Sequence, residues 1–331
     1  MKRRVMLLAC AVAFATCVTS AVPALAQDKY PSKPVKVLVP YAPGGATDII
    51  TRVVGEQLRQ ILGQPFVVEN KAGAFGILAL EEMAKSKPDG YTLMVGNVST
   101  NAITPVLYKD KLKIDFDKDV ASVDRIATLP SFFIATAKDF PPKTMAEFVD
   151  YAKKNPGKLR YTSAGVGSFP HFDAEILARR AGIAMEHVPI KAGASGMLND
   201  LVNGDVQVAF INVATTGAMV KAGSLRPLAV VSEHRLAEYP DVPTMAEAGF
   251  PGVGTLHWQS MLAPASTPKE VIDTLHKAIG QALATGEVQE AFKKQLIEAT
   301  PSQSAEEAKT WLKGEIETWK KITSEVKIEM N

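Results

Sequence analysis

The chain has 331 residues, 47% hydrophobic and 22% charged, with 23 Gly and 21 Pro, a balance that excludes disordered, collagenous and coiled-coil chains. At this length two domains are expected rather than one. Its 37 basic and 35 acidic side chains leave a net charge of +2, without the basic excess or stripe of a nucleic-acid binder.

Lys2, Arg3 and Arg4 precede a stretch from Val5 to Gln27 that carries no charged side chain. Its apolar part, Val5 to Val18, has the length of a signal-peptide core and is short for a membrane span. Pro23 ends any helix, and Ala24-Leu25-Ala26 supplies the small residues that a signal peptidase needs, so cleavage is predicted after Ala26. An uncleaved anchor is the alternative. Leu7-Leu8-Ala9-Cys10 faintly resembles a lipoprotein box, but too few apolar residues precede Cys10 for a lipid anchor. Cleavage removes both cysteines, Cys10 and Cys17, and leaves 305 residues with 34 basic and 35 acidic groups, net −1. An exported chain without thiols has no disulfide framework and no cysteine metal site. Its stability then rests on a large apolar core.

The mature part alternates short β-rich runs with amphipathic segments. Val35 to Pro40 reads as a strand, Ala42-Pro43-Gly44-Gly45 as a turn, and Thr47 to Leu62 as a helix burying Ile49, Val53, Leu58 and Ile61. A strand over Pro65 to Glu69, a helix over Phe75 to Lys85 and a strand over Tyr91 to Val95 follow. The alternation resumes with strand Phe132 to Thr136, helix Met145 to Lys154, strand Lys158 to Thr162 and helix Pro170 to Arg180. It continues through strand Met185 to Val188, helix Ala194 to Val202, and strands Val206 to Phe210 and Leu228 to Val231. Pro268 to Lys327 is almost wholly helical, as three charged helices. Repeated βα units predict an α/β protein with parallel-rich sheets and flanking helices.

Two loops share one physical logic. Tyr41-Ala42-Pro43-Gly44-Gly45-Ala46-Thr47-Asp48 joins a strand end to a helix N-terminus, where Thr47 or Asp48 is placed to cap the helix. The free N–H groups and dipole of such a turn favour an anion. Ser163-Ala164-Gly165-Val166-Gly167-Ser168-Phe169-Pro170-His171 repeats the pattern, with Ser168 as the expected cap and Pro170 in the first turn. Either loop alone is equally readable as a tight turn before a capped helix. Neither has the Gly-Lys-Ser/Thr of a phosphate loop, and Gly165-Val166-Gly167 lacks the third glycine of a dinucleotide fingerprint.

The stretch Tyr30 to Asp48 resembles the opening of the Bug-type solute receptors of tripartite tricarboxylate transporters. Val68-Glu69-Asn70-Lys71-Ala72-Gly73-Ala74 is similar to their second signature. Lys87 to Leu93, Tyr161 to His171, Gly223 to Val230, Val242 to Phe250 and Ala263 to Pro268 follow in family order over essentially the whole mature chain. The resemblance implies an α/β, two-lobe periplasmic-binding-protein type II fold with a ligand cleft between the lobes. It implies lobe 1 from 27–129 and 255–331 and lobe 2 from 130–254, with crossings near Thr128 to Ser131 and Gly252 to His257.

Carried over residue by residue, a solute carboxylate would be held at Tyr41, Pro43, Gly44, Gly45, Ala46, Thr47 and Asp48 of the first loop. Ala164, Gly165, Gly167, Ser168 and His171 would hold it from the second loop, partly through ordered water. Ser99 and Thr100, in a Gly- and Thr-rich family loop over Gly96 to Ala102, would face the same cleft. The family implies delivery of a small organic carboxylate to membrane permease subunits, by a periplasmic monomer that needs no cofactor, metal or nucleic acid. The chain departs from the family pattern at Phe75, at Ser99 and at Ile211-Asn212, where an acidic residue is common; Phe75 is expected to pack beneath its helix.

Two other classes stand beside a transport receptor. One is a sensory adaptor for a membrane sensor kinase, and the other is an exported hydrolase using Ser168 with His171. Gly167-Ser168-Phe169 is no nucleophile elbow, so His171 is read as satisfied by the backbone. The five histidines show no pair at metal-ligand spacing, and Asp115, Asp117 and Asp119 lack the rest of a calcium loop. Trp258 is placed either to line the cleft or to pack against the sheet.

Overall fold

The apolar run at the start of the mature chain forms β1 (Val35–Val39), paired in parallel with β2 (Phe66–Asn70) on one side and β3 (Thr92–Asn97) on the other. The crossover helices of such parallel strands cover both faces of the sheet, which is why the run is almost continuously apolar. The computed structural model describes residues 30–190 and 194–328. The signal segment expected over 1–26 lies outside the described residues. Among those described, no helix is long and apolar enough to cross a membrane.

The first stretch also contains α1 (Ala46–Leu62), α2 (Ile77–Ala84), a π turn over Ser99–Ile103, α3 (Thr104–Leu107), α4 (Phe116–Asp119) and β4 (Val120–Leu129). Then come β5 (Ser131–Thr136), α5 (Met145–Lys154), β6 (Leu159–Ser163), α6 (Phe169–Ala181), β7 (Met185–Pro189) and α7 (Ala194–Asn203). They are followed by β8 (Val208–Asn212), α8 (Val213–Lys221) and β9 (Leu225–Val231). The chain ends with β10 (His257–Pro264), α9 (Lys269–Leu283), α10 (Gly286–Lys293), β11 (Glu298–Ala299) and α11 (Ala305–Glu325).

Two sheets result, ordered β11-β4-β10-β3-β1-β2 and β7-β6-β8-β5-β9. Apart from the two-residue β11, both follow one plan. Three parallel strands are followed by an antiparallel strand that arrives from the other sheet, and a last strand closes the edge. The chain passes from the first sheet to the second at Leu129-Pro130-Ser131. It returns at His257, which pairs with Leu129. This is the two-lobe α/β architecture expected.

Each sheet has its own core. Along β5, Phe132 and Ile134 join one cluster with Met197 and Ile211, while Phe133 and Ala135 join another with Phe148, Tyr161 and Phe210. That division is the period-2 alternation of a strand buried on both faces. In the first lobe, Leu38, Met94 and Leu262 pack with Leu80, Met83, Leu312, Ile316 and Trp319. Phe169 and Phe172 from α6, a helix of the second lobe, complete this first-lobe cluster.

Two expectations are corrected, and two strands were not anticipated. The buried face of α1 is Thr47, Ile50, Thr51, Val54 and Leu58, one step round from Ile49, Val53 and Ile61; of the four residues expected, only Leu58 is buried there. Thr51 Oγ donates to the Thr47 carbonyl at 2.6 Å, so a hydroxyl that looks polar in sequence is satisfied within its own helix and can go inside. The second helix begins at Ile77 rather than Phe75, whose backbone is left-handed at φ 57°. The unanticipated strands are β4 and β10, in which polar residues interrupt the apolar ones. All eight residues of β10 are buried, among them His257, Gln259 and Ser260, and buried Asp124 of β4 accepts the Ser302 N–H at 2.9 Å. Similarly, the C-terminal region has its three helices but adds β11, paired with β4.

Candidate functional site

A cavity opens where the C-terminal ends of β1 and β3 meet α6, α7 and the end of β8, the position at which open α/β sheets bind ligands. Tyr41, Gly45, Ala46, Thr47 and Asn97 line it from the first lobe. Ala164, Phe169, Pro170, Met197, Phe210, Ile211 and Asn212 line it from the second, and His257 lies at the return crossing.

The first-lobe wall is built around α1. Gly45 is the N-cap residue, and no side chain caps the turn. Asp48, placed in sequence as a cap or ligand contact, is instead buried behind the loop. It accepts from Gly44 N–H (3.0 Å), Arg52 Nε (3.0 Å) and Asn70 Nδ2 (2.9 Å), while Asn70 Nδ2 also donates to the Tyr41 carbonyl at 3.0 Å. Burial works against the Asp48 carboxylate, but these bonds outweigh it and hold its pKa below the usual range. The charge is thus neutralised from behind, and Gly45, Ala46 and Thr47 present the uncapped start of the helix to the cavity. This is the arrangement of an anion site at a helix N-terminus.

Asn97 ties the wall together. Its Oδ1 accepts from Tyr41 Oη at 2.7 Å and from Ser99 N–H at 2.9 Å, and its Nδ2 lies 3.4 Å from Thr47 Oγ. Burial raises the Tyr41 phenol well above its ordinary range, so it stays a neutral donor. Asn97 is the first polar residue after the apolar run of β3, at a strand's C-terminal end. That was the sequence signal available for it.

The second-lobe loop departs from expectation. Ser168 does not cap α6: its Oγ donates back to the Gly165 carbonyl at 2.7 Å. The Phe169 N–H is instead taken by Ser99 Oγ of the first lobe at 3.1 Å. Pro170 has no N–H, and those of His171 and Phe172 go to the Ser168 carbonyl. The start of α6 is therefore spent within the protein, and it offers the cavity the apolar surfaces of Phe169 and Pro170. His171 is buried at 4% exposure. Its Nδ1 accepts the Gly167 N–H at 3.1 Å, and its ring stacks on His187 at 3.9 Å between centroids. Burial lowers both imidazoles to about 4. Ser168 and His171 thus have separate partners and form no nucleophile–base pair.

The turn before Ser168 is clasped by the first lobe. Tyr108 Oη donates to the Val166 carbonyl at 2.8 Å. Phe75 stacks on Tyr108 with centroids 4.6 Å apart and lies against Gly165. A Cβ at Gly165 would fall 2.9 Å from the Phe75 ring, and one at Gly167 would fall 2.4 Å from Leu107 Cδ2. Their φ angles of 118° and 79° also favour glycine. Phe75 therefore does not pack beneath its helix; it is 41% exposed and reaches the opposite lobe.

Of the residues singled out in sequence, Tyr41, Gly45, Ala46, Thr47 and Ala164 line the cavity. Pro43 and Gly44 are exposed beside it. Thr100 is buried within the first lobe, its Oγ bonded to the Asn97 N–H and to Asn101. Ser99, Gly165 and Gly167 shape the contact between the lobes, while Ser168 and His171 brace the second-lobe turn from within. Asn212, at the end of β8, does line the cavity, and its Oδ1 lies 3.2 Å from Ser131 Oγ. Trp258 packs in the first-lobe core and donates Nε1 to Glu315 at 2.8 Å. The apolar half of the cavity and His257 were missed, because they come from elements far apart in sequence.

Two lobes, two crossings and a cavity bounded by both define a periplasmic-binding-protein type of solute receptor. Residues 50–328 match the family described as the tripartite tricarboxylate transporter family receptor, and the chain belongs to that family. A Pseudomonas sp. (strain P51) protein, known as the UPF0065 protein in the tcbD-tcbE intergenic region, is 35% identical over 314 residues, 95% of this chain and 92% of that one. The solved structure of the periplasmic binding protein BugD superposes with a TM-score of 0.83 at 32% identity, covering 91% of this chain and 99% of that one. Two proteins of Rhodopseudomonas palustris are similar at 30% identity. One was solved with adipate (TM-score 0.83, covering 89% and 97%) and the other, MatC, with malate (TM-score 0.81, covering 88% and 99%).

Proposed function

We propose that this protein is an exported receptor that closes its two lobes on a small organic carboxylate and presents the closed form to the membrane permease subunits of a tripartite tricarboxylate-type transporter. The observation that carries the reading is the uncapped start of α1 at Gly45, Ala46 and Thr47, facing a cavity that the second lobe completes. A carboxylate there accepts from first-turn N–H groups in a partly dry site, where charge-assisted bonds are strong. Adipate and malate in two relatives support the carboxylate class.

In this reading lobe 1 comprises 27–129 and 255–331, and lobe 2 comprises 130–254. The signal segment is removed after Ala26, and the periplasmic product acts as a monomer. The first-loop residues Tyr41, Gly45, Ala46 and Thr47 contact the solute, together with Asn97 and Ala164. Ser99, Gly165 and Gly167 act by seating one lobe on the other. The protein works by stoichiometric binding, since Ser168 and His171 are each committed to other partners.

A thermal-shift screen of mono-, di- and tricarboxylates, with aromatic acids and uncharged sugars as controls, tests the reading. A ligand at about 100 times its Kd stabilises by about 2.7 kcal/mol, so at least one acid should raise Tm in a concentration-dependent way. A shift by sugars alone, with none from any acid, would sink it.

A further inference from the structure

His257 stands apart from the rest of the cavity wall. It is 1% exposed, it lines the cavity, and neither of its ring nitrogens has a hydrogen-bond partner. Its ring is held from the second lobe by Phe169, stacked with centroids 4.7 Å apart and planes 30° from parallel. Burial lowers the imidazole to about 3, so it is neutral across the physiological range and carries one N–H donor and one lone-pair acceptor. A fully buried polar group without partners is costly, so such groups are normally paired. Gln259, two residues along the same strand face, also leaves its amide unpartnered. Of the two, His257 is the one at the cavity.

We propose that His257 is a solute-contacting residue that reads a hydroxyl group on the carboxylate's body, making the preferred solute a hydroxy acid. The inference rests on the carboxylate reading above and adds the second group that the solute carries. A carboxylate oxygen can only accept, so it matches the N–H of His257 and is repelled by the lone pair. A hydroxyl both donates and accepts, and so matches whichever of the two nitrogens it meets. The geometry separates the two contacts: the acid group belongs at α1, and the hydroxyl at the crossing where β10 re-enters the first lobe. Phe169, Phe210 and Met197 cover the carbon frame between them. Water on the imidazole is the competing occupant, and it would give His257 no say in which acid binds.

Isothermal titration of the full mature chain with matched probes decides between them. The probes are butyrate with its 2-, 3- and 4-hydroxy derivatives, and benzoate with its three hydroxy derivatives. At least one hydroxy acid should bind about tenfold tighter than its parent, because a site built around a hydroxyl rejects the analogue lacking it. His257→Phe should bring that pair to within about twofold of each other, whatever its effect on the affinity they share. His257→Gln, which keeps a donor and an acceptor, should retain part of the preference and covers the case in which the Phe variant fails to fold. A hydroxyl preference that survives in His257→Phe overturns the proposal, as does wild-type protein that binds parent acids but favours no hydroxy acid. If no acid in either series or in the broader screen binds, the carboxylate reading falls and the proposal falls with it.

Discussion

Gly45 is the N-cap of α1 and Gly167 the residue before the N-cap of α6, and their surroundings give these two loop glycines different work. At Gly45 φ is −81°, and an added Cβ meets nothing within 4 Å. At Gly167 φ is 79°, and the Cβ would strike Leu107 of the other lobe. Gly45→Ala should therefore leave urea stability within about 0.5 kcal/mol of the parent while weakening solute binding, since the methyl group enters the cavity. Gly167→Ala should lose about 1–2 kcal/mol from its left-handed backbone alone, in addition to affinity. Parallel unfolding and calorimetric titrations check the pair. Equal stability losses at both positions would contradict the assignment of one glycine to the solute and the other to the lobe contact.

At the scale of the element, α6 is fastened by its histidine rather than by its N-cap serine. His171 must be neutral to accept the Gly167 N–H, and it stacks on His187, which bonds Ser163 Oγ at 2.6 Å. Both imidazoles lie near 4 in the folded protein, against an ordinary value of 6.5. The unfolded chain therefore binds more protons between those values, and the stability these residues contribute is lost as pH falls from about 6.5 towards 4. His171→Gln should cost about 1 kcal/mol at pH 7.5, where one bond is lost. Its deficit should shrink at pH 4.5, because a group that resists protonation has been removed. Urea unfolding at both pH values measures the difference; a deficit that grows with acidity would refute the argument. The α1 turn shows the complementary device. Asp48 is neutralised by Arg52 and braced by Asn70, so an acidic residue sits beneath the turn proposed to hold the carboxylate without opposing it.

For the molecule as a whole, the proposed function makes one lobe seating on the other the central event. Contacts between the lobes include Tyr108 to Val166, Ser99 to Phe169, the Phe75 ring against Gly165 and the stack of Phe169 on His257. A solute that binds the closed form more tightly shifts the population towards it. Tyr108→Phe keeps the stack with Phe75 but removes the bond to Val166. The loss of about 0.5–1.5 kcal/mol falls on the closed form, which predicts a solute Kd weaker by about 2- to 10-fold. Calorimetry with the tightest acid from the screen, together with small-angle scattering of the unliganded variant, tests this. An unchanged Kd would show that Tyr108 contributes nothing to closure.

The βα alternation, the Gly-rich turns after β1 and β6 and the helical C-terminal region were legible in the sequence, because they depend on local periodicity and on backbone chemistry within a few residues. The family motifs carried the two-lobe plan as well. Tertiary structure alone decided the rest. It buried β10 despite His257, Gln259 and Ser260, because neighbouring strands satisfy its backbone and the sheet covers its side chains. It also drew Asp48 behind its loop, where Asn70 of β2 bonds the carboxylate, whereas Thr100 and Ser168 are taken by partners in their own turns. Finally, it set Asn97, Asn212 and His257 around one cavity from three distant segments. A hydrogen bond is a statement about position in space, and sequence spacing fixes position only within a turn or an element.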